Sequence, residues 1–328
     1  MPFIVRRLVF YLVAAWVALT INFFIPRAIP GNAVQNVMAK FPNLQPSAYK
    51  ALEALLGVGH PGPLWSQYVS YLNNIFHFNF GTDVSQYPAQ VSSLLVQTLP
   101  WTITLVGVAT VIAFVIGTAL GIVAGWRHGG TLDRVLPGLM FLQAIPYFFF
   151  ALILVELLAI KTQVFPTGQG YSDGLIPGWH WDFISSAIYH SLLPALTIVL
   201  TSIAGWMLQM RNVMITTTGE DYVIAAQAKG LPNRRVIYTY AARNALLPQL
   251  QGFGLAVGFV VSGAIVMEIV FGYPGIGLLL LNAVTSNDYP LMQAIFLVIT
   301  FAVLLANLVV DMIIVVADPR ARRREATS

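Results

Sequence analysis

The sequence predicts an all-α integral membrane protein with six transmembrane helices. Of its 328 residues, 57% are hydrophobic and 9% are charged. Soluble domains average about 45–50% apolar and about 25% charged residues, so this composition argues against a soluble enzyme or nucleic-acid binder. It also excludes a disordered chain, which would be poor in apolar residues and rich in charge. The chain has no cysteine, which excludes disulfides and zinc–thiolate sites.

Six apolar runs are long enough to cross a hydrocarbon core of about 30 Å, which takes about 20 helical residues. The first run follows Arg6 and Arg7 and has some features of a signal peptide. Its length, and the lack of a small-residue cleavage site before Pro30, favour a retained anchor. The third run contains Pro137 and Pro146, either of which can kink a helix. The predicted spans are 8–25, 101–125, 135–160, 191–210, 247–270 and 291–317.

The distribution of basic residues predicts the orientation of these spans. Thirteen of the seventeen Lys and Arg residues lie at the two termini and in segments 126–134 and 211–246. Loops rich in Lys and Arg stay in the cytoplasm, so both termini are predicted to be cytoplasmic. Segments 27–100 and 161–190 are then external, and the mixed composition of the first predicts a small ordered element. The predicted parts are 1–100 (N-terminal transmembrane helix and extracytoplasmic segment), 101–318 (a core with five transmembrane helices) and 319–328 (a cytoplasmic basic tail).

Segment 211–246 is the only long polar stretch on the predicted cytoplasmic side. Thr218 and Asp221 fit a capping box, which predicts a helix over 222–229. Gly230 is placed where a helix commonly ends in a left-handed glycine. This short helix has three alanines and no bulky apolar stripe, so it is suited to close approach by another surface. The alternative is a segment that only connects two spans.

A second helix is predicted to follow Pro232 in the same segment. Asn233 is the predicted cap of this helix, and the Leu247–Pro248 pair is its predicted end. Most connections between membrane helices are short, so two capped helices within one loop favour a docking role.

The loop sequence resembles that of a known family of membrane transport proteins. Asp-Tyr-Val-Ile-Ala-Ala-Gln-Ala-Lys-Gly-Leu at 221–231 and Arg-Asn-Ala-Leu-Leu-Pro at 243–248 resemble the cytoplasmic loop of binding-protein-dependent ABC importer permeases. The resemblance is to the oligopeptide, dipeptide and nickel family, and within it to the first, B-type, permease subunit. Ile224 stands where the generic motif has Glu, a departure that peptide-type permeases share. The matching positions of the generic motif are Ala225, Ala226 and Gly230.

The resemblance extends over nearly the whole chain and implies the type I fold of ABC importer permeases. It implies a non-catalytic transport subunit in the cell membrane that translocates small peptides, with related oligosaccharides or nickel as alternative solutes. Further matching segments include Phe80-Gly81-Thr82, Phe165-Pro166-Thr167-Gly168, Leu193-Pro194-Ala195, Pro274-Gly275-Ile276-Gly277 and Asp318-Pro319-Arg320.

The resemblance also implies partners and a coupling site. The partners would be a second permease subunit, two ATP-binding subunits that hold ATP and Mg, and an extracytoplasmic solute-binding protein. The coupling helix, around 219–230, would sit in a cleft of the ATP-binding subunit. The residues predicted to couple to it are Asp221, Tyr222, Ala225, Ala226, Lys229, Gly230, Arg234 and Arg235.

Two further sets of residues are candidates for function within the spans. Placing an acidic side chain inside a membrane span costs free energy, so the acidic residues found there are candidates to line the transport pathway. Glycines repeated at every fourth position make a flat helix face for close packing, either within this chain or against a second permease subunit. The acidic candidates are Glu156, Glu268 and Asp311, and the glycines are Gly117, Gly121 and Gly125.

The chain itself is predicted to bind no cofactor and to hydrolyse no ATP. Its sequence contains no Gly-x-x-x-x-Gly-Lys-[Ser/Thr] phosphate loop. An ion-coupled secondary transporter is the alternative from another class. Such carriers usually show internal repeats and paired polar groups at mid-membrane, and the sequence shows neither. A membrane-embedded enzyme is disfavoured because the spans lack converging His, Asp or Ser residues.

Overall fold

The structure is a computed structural model that describes residues 3–28, 63–83, 86, 88–258, 260 and 265–317. In these residues the regular structure is helical, apart from one isolated antiparallel bridge between Thr82 and Gln90. In chain order the helices are α1 (Phe3–Ala28), α2 (Leu64–Phe76), α3 (Val91–Trp126), α4 (Thr131–Ala144), α5 (Tyr147–Leu154) with a π-helical continuation (Val155–Lys161), α6 (Trp181–Thr218), α7 (Asp221–Ala228), α8 (Asn233–Arg235) with a π-helical continuation (Val236–Ala242), α9 (Arg243–Gly258), α10 (Ile265–Val270), α11 (Ile276–Thr285) and α12 (Tyr289–Ala317).

The described residues contain four helices that are long and apolar enough to cross a membrane. A fifth candidate is the pair Thr131–Ala144 and Tyr147–Lys161, which is bent by 95°. These helices confirm an all-α protein with several membrane spans. The predicted span 247–270 includes residues 259 and 261–264, which lie outside the described ones, so six spans remain a prediction. The four helical segments are Arg6–Ile25, Val91–Trp126, Trp181–Thr218 and Tyr289–Val309.

The bend in the third predicted span lies at Pro146. Ile145 leaves α4 in an extended conformation, with φ −75° and ψ 128°, and Pro146 then caps α5. Proline lacks the N–H that would continue the helix, and it also pushes the preceding residue out of the helical region. Pro137, by contrast, lies inside α4, and that helix continues to Ala144.

Two of the spanning helices are longer than the apolar runs that predicted them. The helix α6 covers Trp181–Thr218, although its apolar run is 191–210. The helix α3 begins at Val91, and Pro100 lies inside it. The helix α6 therefore extends beyond both ends of its apolar run, whereas α3 extends mainly beyond the start of its run.

The described chain forms two compact units. The first holds the described residues up to Thr102 together with Pro274–Leu305. Within it α2 is bound to α1, because the Tyr68 hydroxyl lies 2.7 Å from Thr20 Oγ1 and the Asn22 side chain donates to the Tyr71 hydroxyl at 3.1 Å. These contacts show that part of segment 27–100 is ordered.

The second unit holds Ile103–Tyr273 and the described residues from Ala306 onward. Its central element is α6, which contacts α4, α5, α7 and α9. Three methionines spaced along α6, Met207, Met210 and Met214, are fully buried. The flexible, polarizable methionine side chain fills irregular gaps, which suits a helix with neighbours on several sides.

Candidate coupling surface and pathway residues

The end of α7 is fixed by a glycine in the left-handed conformation. Gly230 has φ +71°, and its N–H donates to the Gln227 carbonyl at 2.9 Å. The N–H of Leu231 donates to the Ala226 carbonyl at 3.4 Å. These two bonds form a Schellman motif, which satisfies the last carbonyls of the helix. The predicted end of the coupling helix at Gly230 is therefore seen in the structure.

The predicted cap of α7 was wrong. Thr218 is the last residue of α6, and its hydroxyl donates back to the Ile215 carbonyl at 2.9 Å. Glu220 caps α7 with no side-chain capping bond, and its carbonyl accepts from the N–H groups of Val223 and Ile224. A threonine can bond to its own helix as easily as cap the next one, so the sequence pattern was ambiguous.

The prediction for the second helix of this segment was also wrong at both ends. Pro232 is the cap of α8, and Asn233 is its first residue. The helix does not end at Leu247–Pro248, because it continues through the π-helical segment into α9 and past Pro248 to Gly258. Tertiary packing explains this, since Ala245 and Gln249 are both fully buried on either side of the expected break.

One side of α7 is buried against its own chain. Val223 and Ala226 are 0% and 3% exposed, and both lie in an apolar cluster with Met210 and Met214 of α6. Val236 from the π-helical segment joins the same cluster. Burial of these side chains holds α7 against α6, so the two helices can transmit a displacement.

The other side of α7 is open. Tyr222 and Ile224 are 40% and 51% exposed, and the first turn carries Asp221. Acidic residues suit the start of a helix and basic residues suit its end, so the charges of Asp221 and Lys229 stabilise α7. Of the eight residues predicted to couple to an ATP-binding subunit, Ala226 alone lies in the buried cluster. The others are exposed: Asp221, Tyr222, Ala225, Lys229, Gly230, Arg234 and Arg235.

An ion pair ties the first turn of α4 to α6. The Arg211 guanidinium donates to both carboxylate oxygens of Asp133, and the distance from its Nη2 to Oδ2 is 3.0 Å. The Gly129 N–H donates to the same Oδ2 at 2.9 Å, and His128 Nδ1 lies 3.0 Å from it. A bidentate arginine–carboxylate pair fixes orientation as well as distance, so the turn cannot move independently of α6.

The same contacts shift the pKa of the Asp133 carboxyl. Hydrogen bonds from Arg211 and then Gly129 hold the pKa of Asp133 well below its ordinary value, against a smaller opposing effect of burial. The carboxylate in turn raises the pKa of Arg211. The pair is therefore fully charged at neutral pH. Sequence reasoning did not select Asp133 as a site residue.

The three spaced glycines of α3 lie against α6. A Cβ on Gly117 would lie 2.6 Å from the Trp206 Cβ, and one on Gly121 would lie 2.6 Å from the Met207 carbonyl oxygen. A Cβ on Gly125 would lie 2.5 Å from the Met214 Cβ. Within the described chain this glycine face is thus occupied by α6, as close packing in lipid requires small residues.

The three acidic candidates lie in different environments. Glu268 of α10 is 0% exposed, and the N–H of Tyr273 donates to its backbone carbonyl at 2.8 Å. Glu156 is exposed and forms an ion pair with Lys161 at 3.6 Å. Asp311 of α12 is half-buried. Their role in a transport pathway remains a prediction.

Sequence reasoning missed a buried amide in the second unit. Gln249 of α9 is 0% exposed, and its side chain donates to Thr118 Oγ1 at 3.1 Å and to the Trp206 carbonyl at 3.0 Å. It therefore connects α9 to α3 and α6. An amide side chain in an apolar run was the available signal, since a polar group in lipid must find a protein partner.

Several apolar helices are long enough to span a membrane, and α3 packs closely on α6 through its glycines. These features define a multi-pass protein of the cell membrane. The comparison with known families is specific: the chain belongs to the family described as "Binding-protein-dependent transport system inner membrane component", which matches residues 117–323. The matched region holds the glycine face, the Asp133–Arg211 pair and α7. The predicted family is thus confirmed.

Individual relatives match over nearly the full chain. The oligopeptide transport system permease protein AppB of Bacillus subtilis is 30% identical over 302 residues, covering 92% of each chain. The dipeptide transport system permease protein DppB of Escherichia coli K12 is 31% identical, covering 99% of this chain and 100% of its own. The di/tripeptide transport system permease protein DppB of Pseudomonas aeruginosa is 31% identical, covering 99% of each.

Proposed function

We propose that this chain is the transmembrane permease subunit of an ATP-driven importer that moves small peptides into the cell. The observation that carries the proposal is the full-length similarity to permeases named for oligopeptides, dipeptides and tripeptides. Those names do not favour oligosaccharides or nickel as the solute. An ion-coupled carrier is likewise not favoured, because the family is one of binding-protein-dependent systems.

The proposed complex contains four further subunits. A second permease subunit would complete the pathway, two ATP-binding subunits would hold ATP and Mg, and a solute-binding protein would deliver the peptide. Six spans with both termini in the cytoplasm fit the basic residues, of which thirteen in seventeen fall on one side. This orientation places α7 on the side where ATP is available.

In this proposal α7 acts as the coupling helix. Its small exposed side chains, such as Ala225, permit close approach of an ATP-binding subunit, while Val223 and Ala226 anchor it to α6. Closure of the ATP-binding subunits would push α7, and α6 would move with it. The Asp133–Arg211 pair would carry the first turn of α4 along with α6.

The experiment reverses two exposed charges beside α7. Arg234→Glu combined with Arg235→Glu leaves the buried cluster intact, because both residues are exposed. We expect at least a tenfold weaker association with the ATP-binding subunits, equivalent to about 1.4 kcal/mol, and a matching loss of peptide uptake in proteoliposomes. The measurements are co-purification and ATP-dependent uptake of a labelled tripeptide.

Arg127→Glu is the matched control. Arg127 is also exposed and on the predicted cytoplasmic side, but it lies outside the α7 segment. It should retain assembly and uptake. Normal assembly and uptake in the double variant would contradict the coupling role, and uptake of cello-oligosaccharides or Ni²⁺ in preference to the tripeptide would contradict the substrate class.

A further inference from the structure

Loop 162–180, between the π-helical segment Val155–Lys161 and α6, exposes large apolar side chains. Trp179 is 98% exposed, and Trp181, the first residue of α6, is 75% exposed. Ile176 is 78% exposed. We call these three side chains the tryptophan patch. Tryptophan is enriched at binding hot spots, so two exposed together on one short segment indicate a contact surface.

The backbone beneath the tryptophan patch is fixed by specific bonds. His180 Nδ1 accepts from the Phe183 N–H at 3.3 Å, so its Nε2 is the protonated nitrogen that donates to the Ile176 carbonyl at 2.7 Å. The Ser172 N–H donates to Ser186 Oγ at 2.9 Å, which ties the loop to α6. A surface fixed before binding loses little entropy when a partner docks.

A second set of bonds fixes the start of the loop. The Tyr189 hydroxyl donates to the Val164 carbonyl at 2.5 Å, and the Gln169 N–H donates to the Phe271 carbonyl at 2.8 Å. A Cβ on Gly168 would lie 2.6 Å from that same carbonyl oxygen, so a glycine is required for this approach. The loop is thus fixed to α6 and to the end of α10.

The length of α6 places the tryptophan patch outside the hydrocarbon core. The predicted span 191–210 ends next to Arg211, which we take as one boundary of this core, and Trp181 lies thirty residues away on the same helix. At about 1.5 Å per residue this is about 45 Å, against a core of about 30 Å. A tilt of about 40° would still leave about 34 Å. Trp181 therefore lies outside the hydrocarbon core, and burial among acyl chains does not explain its exposure.

Charge around the tryptophan patch also favours a protein over a lipid surface. Asp173 and Asp182 flank it, and both are exposed. Residues 162–210 contain no Lys or Arg. Anionic headgroups would be repelled by this surface, whereas a protein with an apolar groove and a basic rim would complement it.

We propose that the tryptophan patch is a docking site for the peptide-loaded solute-binding protein, with Trp179 and Trp181 as its anchors. The proposal rests on the proposed function, because the importer orientation puts loop 162–180 on the external side. The family is dependent on a binding protein, which supplies the partner. The partner surface is expected to be apolar with basic residues around it.

The test uses the complete transporter in nanodiscs and the peptide-loaded solute-binding protein of the same system. We expect the double variant Trp179→Ser and Trp181→Ser to weaken binding about tenfold or more, since hot-spot tryptophans dominate interfaces. ATP hydrolysis without the binding protein should be unchanged, because both side chains are exposed. Asp173→Lys with Asp182→Lys should also weaken binding, with a smaller effect at high salt.

Trp65→Ser is the control, since Trp65 of α2 is 72% exposed in the other external segment. It should bind with wild-type affinity. Unchanged affinity in the double tryptophan variant, or a loss confined to Trp65→Ser, would overturn the proposal. The fluorescence of Trp179 is obtained as the difference between wild type and Trp179→Phe. If brominated lipid quenches this fluorescence, the proposal is overturned as well. Peptide uptake by the wild-type complex tests the proposed function separately.

Discussion

The two ends of α6 are built differently. The end that leads into α7 is packed against α3 and α7 with glycines, buried methionines and a charge-assisted ion pair. The end that begins at Trp181 is fixed mainly through hydrogen bonds to a loop and leaves its largest side chains exposed. Packed contacts resist displacement, so the first end suits transmission of movement. A rigid backbone with exposed side chains suits recognition.

This difference follows from the residues available at each end. The α3 face needs glycine, because any side chain would meet the α6 backbone. The loop before Trp181 instead needs residues whose side chains bond to backbone groups, such as His180 and Ser186. Substitutions at the two ends should therefore fail in different ways, and the expected effects can be ordered by size.

The largest effect is expected at the glycine face. In Gly121→Ala the new Cβ would lie 2.6 Å from both the Met207 carbonyl oxygen and the Met210 Cβ. Because α3 or α6 must shift, we expect the free energy of unfolding to fall by about 1–3 kcal/mol, the usual range for overpacking. Thermal unfolding of the purified protein in detergent, followed by circular dichroism, measures the loss.

Gly107→Ala is the matched control on the same helix. Within the described chain, no atom lies within 4 Å of a Cβ built on Gly107. The alanine should be neutral or should stabilise by up to about 1 kcal/mol through helix propensity. Equal melting temperatures for Gly121→Ala and Gly107→Ala would show that α3 and α6 pack less closely than these contacts indicate.

A smaller, pH-dependent effect is expected at the ion pair. Asp133→Asn removes a charge whose folded-state pKa lies below its unfolded value, so the carboxylate stabilises the fold above the unfolded pKa. Stability from this group is lost as the pH falls from about 4 towards the folded pKa. We therefore expect the variant to melt several degrees below wild type at pH 7, and the gap to narrow below about pH 4.

The groups facing Asp133 are Arg211, His128 and the N–H of Gly129. Asp173→Asn is the control at the other end of α6, where the carboxyl is exposed. It should change melting little at either pH. If the difference in melting temperature between wild type and Asp133→Asn does not change with pH, then shape rather than charge holds the first turn of α4 against α6.

The sequence predicted an all-helical protein with several membrane spans, because hydrophobic runs report directly on burial in lipid. It was less successful where two local patterns competed. Thr218 could cap α7 or bond to α6, and Pro248 could end a helix or be tolerated inside one. Tertiary contacts decided both cases, since Thr218 bonds within α6 and α9 continues past Pro248.

The candidate coupling segment could be predicted as far as its resemblance and its end signal at Gly230. The side of α7 that faces its own chain could not, because a short helix with three alanines has no apolar stripe that fixes its rotation. Asp133 was also missed as a site residue. Its partner Arg211 is far away in sequence, and residues at such separation become neighbours only through the fold.

The smallest effect is expected at the end of α7. Gly230 has φ +71°, and Gly230→Ala places a Cβ in the left-handed region at a cost of about 1–2 kcal/mol. Because strain can be relieved by loosening the Schellman motif, we expect a small loss of global stability but a clear local loss of protection. Hydrogen–deuterium exchange of the backbone amides at positions 230 and 231, the two donors of the motif, measures it. Gly219→Ala is the control, since Gly219 at the other end of α7 has φ −83° and its Cβ would lie 3.5 Å from the nearest atom. Exchange should rise in Gly230→Ala and stay near wild type in Gly219→Ala, and equal exchange in both variants would show that the left-handed glycine does not fix the end of the helix.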